Sequence, residues 1–231
     1  MSHAGFAPSH HWILSGALTL TGLALFISAY PPWILGLVTG WLALVPLIAA
    51  VASAPPTWAA LLGWLFGSVA NLGVFGWLFI VPGFRWYHFF LLNGYLALYP
   101  ALWSLIVVRF LRGTALTQIG VACVWVFPEY IRAHAGFLAL PWITLAESQV
   151  DNVPLLQIAP LLGEPGVTFL VVLGNLAIWN LGSGSHTRIA MLFVFPVLGT
   201  MALGSYVLNA SDLKVQAPTG RNFGNRLSSR K

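Results

Sequence analysis

Charge is what this chain most conspicuously lacks. Its 231 residues include ten lysines and arginines and five aspartates and glutamates, 6% in all, against about 25% in an ordinary soluble domain. A chain so poor in charge cannot clothe a surface facing water. Hydrophobic residues at 58% and a mean hydropathy of +0.85 indicate lipid surroundings instead. Cysteine is nearly missing too: Cys123 stands alone, which excludes an intrachain disulfide framework. Within an apolar helix it reads as a small hydrophobe, because apolar surroundings disfavour a thiolate nucleophile. There is no phosphate loop, dinucleotide fingerprint, HExxH zinc pair or nucleophile elbow. Lys and Arg are absent before Trp12, so the first apolar run lacks the positive region of a cleaved signal peptide and reads as a retained span. His3, His10 and His11 near the amino terminus match no metal-ligand spacing and read as an interfacial tail. The sequence supports no metal site and no cofactor.

What is present is a succession of long apolar runs with short gaps. About 20 apolar residues cross the hydrocarbon core as a helix, and seven stretches approach that length: residues 12–30, 33–52, 58–81, 87–110, 115–131, 167–181 and 188–208. They lack the alternation of a membrane β-barrel. The expected fold is therefore all-α, a polytopic transmembrane helical bundle of about seven spans over residues 1–210. Pro46, Gly67, Gly94, Pro100 and Pro196 fall inside these runs, where neighbouring helices can satisfy the backbone groups they free. Asn71, Asn93 and Asn175 are the strong polar residues within spans and are read as bridges between helices.

Residues 211–231 form a basic tail carrying half of the basic residues: Lys214, Arg221, Arg226, Arg230 and Lys231. It accounts for most of the net charge of +5, so the basic balance gives no support to nucleic-acid binding. Its polar composition predicts disorder. Arg109, Arg112 and Arg188 place their loops in the cytoplasm by the positive-inside rule. With seven spans that rule exports the basic tail, so either one span is miscounted or the tail crosses despite its charge.

Residues 128–149, PEYIRAHAGFLALPWITLAESQ, hold two of the five acidic residues, Glu129 and Glu147, together with Arg132 and His134. Glu129 and Arg132, three apart, share a helix face and can pair. The stretch up to Gly166 is too interrupted by Pro and Gly to span, so it is expected to be a non-spanning outer loop between spans five and six, folded against protein or water. Ionisable groups at such depth are functional candidates. The competing reading is a structural ion pair and an interfacial loop.

The order Trp125, Glu129, Arg132, then Gly136-Phe137, Pro141-Trp142, Ser148-Gln149 and LLQIAPLLGEPGVTFLVVLGN (residues 155–175) resembles the membrane domain of the apolipoprotein N-acyltransferase family. AYPPWILGLVTGWLALVPL near residue 30, with Gly63, Gly67 and Trp77, is similar to that family's second and third spans. The resemblance covers most of residues 12–208 and implies a multi-pass protein of the bacterial inner membrane. It also implies a ping-pong reaction. A cysteine thiolate takes an acyl group from a phospholipid and passes it to the α-amine of a diacylglyceryl-modified cysteine at a lipoprotein amino terminus. The implied partners are that phospholipid donor and that lipoprotein.

Three departures stand out. Three residues separate Gly136-Phe137 from Pro141-Trp142, where the family runs GFPW together. Ala146 and Glu147 replace the family's usual Gly and Tyr. The family's nitrilase-like domain, which carries the Glu, Lys and Cys of catalysis, has no room here, although residues 211–220 are similar to its opening strand. The expectation is a membrane half, inactive alone, with a separately encoded nitrilase-like domain as a further implied partner. No residue of this chain is assigned a catalytic role: Cys123 lies six positions from Glu129 and no lysine is near it. The lipid-binding candidates are Glu129, Arg132, Trp142, Glu147, Ser148 and Gln149. A non-catalytic lipid-binding or scaffold protein, or a small transporter, are the alternative functions.

Overall fold

The computed structural model describes residues 9–30, 35–184 and 186–216. Nine α-helices follow one another: α1 (Ser9–Ser28), α2 (Gly36–Thr39), α3 (Val45–Val51), α4 (Pro56–Val74), α5 (Trp86–Phe110), α6 (Ala115–His134), α7 (Val153–Leu156), α8 (Ala159–Ser183) and α9 (Thr187–Gln216). Short 3-10 turns lie at Gly76–Ile80, Gly136–Leu138 and Leu145–Gln149. There is no strand among the described residues, and the all-helical bundle expected from the apolar runs is the observed fold.

Four helices are long and apolar enough to cross a membrane: Pro56–Val74, Trp86–Phe110, Ala159–Ser183 and Thr187–Ala210. They correspond to the expected spans three, four, six and seven. The first run contains a shorter apolar helix, Ile13–Ser28. The fifth forms the 20-residue α6, capped by Thr114, whose Oγ1 accepts from Thr117 N at 3.4 Å.

The second run differs from its expectation. Instead of one helix over residues 33–52 there are two short ones, with a break between Thr39 and Val45. Breaking a helix at this depth orphans backbone groups, and Asn175 of α8 replaces their partners. Its Oδ1 accepts from Leu44 N at 2.9 Å, and its Nδ2 donates to Gly40 O at 3.0 Å and Val171 O at 2.9 Å. Asn71 likewise bridges α4 to α5, donating to Asn93 Oδ1 at 3.0 Å. Both follow the bridging role read from the sequence.

Lipid tails are as apolar as leucine, so tight packing rather than exclusion from water must hold the bundle. The core is built accordingly. Phe26, Leu44, Leu47, Ile48, Phe66, Trp103, Val171 and Leu176 are all fully or almost fully buried in one cluster. Helix α4 lies along α5, and α8 packs on α3, α6, α9 and the Leu145–Gln149 turn. Close approach at α4 and α5 depends on Gly63 and Gly67, where a Cβ would overlap Pro100 and Ser104. The run from Ala159 bends sharply at Gly163 (φ 67°), and α8 proper follows.

Helix α9 continues to Gln216, so residues 213–216, expected to be strand-like, are helical. The expectations for the rest of the tail and for His3 lie outside the described residues.

Candidate functional site

Helix α6 carries Glu129 and Arg132 toward the segment that follows it. They do not pair with each other; each reaches the loop backbone. Glu129 Oε1 accepts from Trp125 Nε1 at 2.8 Å and from Leu145 N at 3.2 Å. Its Oε2 accepts from Thr168 Oγ1 at 2.9 Å, and that hydroxyl accepts in turn from Ala146 N at 3.2 Å. Arg132, 7% exposed, donates from Nη2 to Ile143 O at 3.1 Å. The expected ion pair is therefore absent among the described residues. Backbone groups of a loop that cannot pair with itself compete for both ends, and an unmet buried backbone group is costly.

Two more carboxylates join. Glu147 Oε2 accepts from Ile143 N at 2.7 Å, and Glu164 accepts from the Thr144 hydroxyl. Tyr30, distant in sequence, donates its hydroxyl to Thr144 O at 2.9 Å. Five side chains from four parts of the chain thus clasp the tripeptide Ile143-Thr144-Leu145. Ile143 has φ 63°, a conformation a β-branched residue adopts only when its surroundings over-determine it. The clasp supplies that determination.

Trp142, the residue before, is half-exposed and stands edge-to-face with Trp77 at 5.6 Å. Ser148 and Gln149 point the other way. Both are buried: Ser148 Oγ donates to Leu145 O at 2.6 Å, and Gln149 Nε2 donates to Gly36 O at 2.9 Å. Gly36 and Gly40 make room for them, since a Cβ at either would overlap Ser148. Of the six candidates, the structure brings Glu129, Arg132 and Glu147 onto one tripeptide with Trp142 beside them. Ser148 and Gln149 instead seat the loop on the α2 break.

The tripeptide walls three cavities. A narrow one of about 60 Å³ runs between α4, α5 and α6, lined by Phe26, Phe66, Leu96 and Tyr99 and ending at Glu129 and Arg132. A second, of about 90 Å³, lies on the far side of Glu129 toward Glu164. The third, about 370 Å³, is bounded by Tyr30, Val74, Trp77, Trp142, Ile143 and Glu147, within the size range of small-molecule pockets. Burial pushes the half-buried Glu147 carboxyl above its ordinary value. Glu164 adds to the rise, while the Ile143 N–H and Arg132 oppose it.

Sequence reasoning missed Tyr30, Thr144, Glu164, Thr168 and Trp77 as parts of this site. Thr168 and Glu164 sat inside the quoted GEPGVTFL segment, which was a usable signal. Tyr30 had none, because its partner is 114 residues away.

A family model described as the apolipoprotein N-acyltransferase N-terminal domain matches residues 21–177. The apolipoprotein N-acyltransferase of Geobacter metallireducens is 34% identical over 179 residues, covering 73% of this chain and 33% of that protein. That of Nitrosomonas europaea is 33% identical over 186 residues, covering 74% and 35%. That of Rhodopirellula baltica is 26% identical over 240 residues, covering 91% and 39%. The chain spans about a third of the length of the curated relatives it matches.

Proposed function

The chain belongs to the apolipoprotein N-acyltransferase family through its N-terminal membrane domain, and from that premise we propose that it admits the lipid substrates of lipoprotein N-acylation at the bacterial inner membrane. The observation that carries this reading is the aromatic cleft between α4, α5 and α6 that ends at Glu129 and Arg132. An acyl chain suits its apolar walls. Arg132 has five N–H donors in a rigid fork; the one bonded to Ile143 fixes the guanidinium and leaves others for a phosphate. Trp142 anchors the loop at headgroup level, as tryptophan does at membrane interfaces. Ser148 and Gln149 serve by holding that loop against Gly36 and Gly40.

Within these 231 residues the chain binds and positions lipid without performing the transfer. Cys123 is exposed on α6. Six residues separate it from Glu129, about 9 Å along the helix and on a different face, and Glu129 already accepts three hydrogen bonds. A thiol so placed has no base to activate it. The diacylglyceryl lipoprotein and a nitrilase-like domain supplying the thiolate are the remaining partners of this reading.

The test is purified full chain incubated with radiolabelled phospholipid and a diacylglyceryl-cysteinyl peptide. The reading expects label retained through gel filtration above chain-free micelles, with no acylated peptide. Absence of retained lipid overturns it. Acyl transfer abolished by Cys123→Ala overturns the assignment of Cys123 as a bystander.

A further inference from the structure

The cavity bounded by Trp77, Trp142 and Glu147 is the roomiest in the bundle and lies apart from the acyl-sized slot that the proposed function uses. Its wall combines one carboxylate with two indoles from separate parts of the chain: Trp77 in the turn after α4 and Trp142 in the clasped loop. The indoles meet at 75°, 5.6 Å apart, so they form a corner rather than a stacked plug, and π-faces near a cavity attract cations. Glu147 is held at the rim by Ile143 N–H on Oε2, and no donor among the described residues reaches Oε1. Tyr30, also on the wall, already gives its hydroxyl proton to Thr144. The cavity therefore has an anionic acceptor, aromatic faces and no free cation.

We infer that this cavity receives a primary ammonium group borne on a lipid, with Glu147 Oε1 accepting its N–H and Trp77 and Trp142 flanking it. The inference rests on the lipid-admitting reading above and names the head chemistry that reading leaves open. The carboxyl, lifted by burial, lacks a cationic partner of its own in the cavity, and an ammonium supplies one. A quaternary ammonium keeps the cation–π attraction but has no N–H to donate, so it binds less well. An anionic head is repelled. Two sources bear the same group: an aminophospholipid headgroup and the α-amine of a diacylglyceryl-modified cysteine.

The experiment uses the full chain in micelles containing equal mole fractions of phosphatidylethanolamine, phosphatidylcholine and phosphatidylglycerol, with the co-purifying lipid quantified by mass spectrometry. The expected order of enrichment is ethanolamine, choline, glycerol. A charge-assisted hydrogen bond predicts about tenfold or more between the first and last. Glu147→Gln, which still offers Ile143 N–H an acceptor oxygen, brings that ratio near one. Trp77→Leu lowers it from the other wall. Equal retention of the three lipids by the unmodified chain, or a ratio that survives both variants, overturns the ammonium site. Total retained lipid separately reads the broader proposal, and its absence from the unmodified chain overturns both. Competing diacylglyceryl-cysteinyl peptides, amine free or acetylated, distinguish the sources. Displacement of phosphatidylethanolamine by the free amine alone assigns the pocket to the acceptor as well as the lipid. Displacement by neither assigns it to the phospholipid headgroup. Equal displacement by both overturns the ammonium assignment.

Discussion

Replacing Glu129 by alanine removes the acceptor for three donors at once: the Trp125 indole, the Leu145 amide and the Thr168 hydroxyl. Polar contacts between membrane helices contribute on average about 0.6 kcal/mol each, which gives about 2 kcal/mol for three. Donors left buried without a partner cost about 1–3 kcal/mol apiece. The threonine hydroxyl can turn to a carbonyl of its own helix, so two orphans remain and the upper figure is about 6 kcal/mol. Glu129→Ala should therefore lower unfolding stability by about 2–6 kcal/mol. Glu129→Gln, which keeps one acceptor oxygen, should lose less. Denaturant titration of the full chain in matched micelles reads the total, and hydrogen exchange at Leu145 reads the site. A change under about 0.5 kcal/mol, well below one orphaned donor, with the Leu145 amide still protected, would refute the idea that this carboxylate holds the loop.

Three further outcomes follow from the same geometry. Asn175→Leu fills the same space but strands Leu44 N and Gly40 O, and should cost about 2–5 kcal/mol in the same titration. Gly40→Val drives a side chain into Ser148 and Gln149; it should expose the 145–149 turn to protease, and unchanged cleavage would count against the seating role of that turn. Glu147, raised in the folded state, binds its proton more tightly there than when unfolded. It therefore favours the fold at low pH and withdraws that contribution as pH climbs from 4.5 through the raised value. Glu164 and Arg132 face the same carboxyl, so the difference between parent and Glu147→Gln stability curves isolates the effect, and parallel curves would contradict it.

Apolar run length was enough to read the helices, because crossing lipid obliges a segment to satisfy its own backbone. It failed at the second run for a non-local reason. Gly36, Gly40 and Pro46 read as tolerable interruptions, but whether the helix actually breaks depends on Asn175, more than 130 residues away. The site shows the same division. The spacing of Glu129 and Arg132 placed both on one face, which is correct, yet spacing is silent about competitors for their hydrogen bonds. The unpaired backbone of residues 143–145 is such a competitor, and it exists only once the loop has folded back. Ser148 and Gln149 read as polar headgroup contacts because nothing local reveals that two glycines have cleared space for them.

The most direct test of the account is photo-crosslinking of the full chain, in bilayer nanodiscs, with a phospholipid carrying a diazirine near the carbonyl end of one acyl chain. The account predicts that the crosslinked peptides fall on the cleft between α4, α5 and α6, around Phe66, Tyr99 and Trp125, and that unlabelled phospholipid competes them away. Crosslinks confined to the exposed apolar face of α9, around Leu192, Phe195 and Tyr206, would mark the lipid as a surrounding solvent and contradict it.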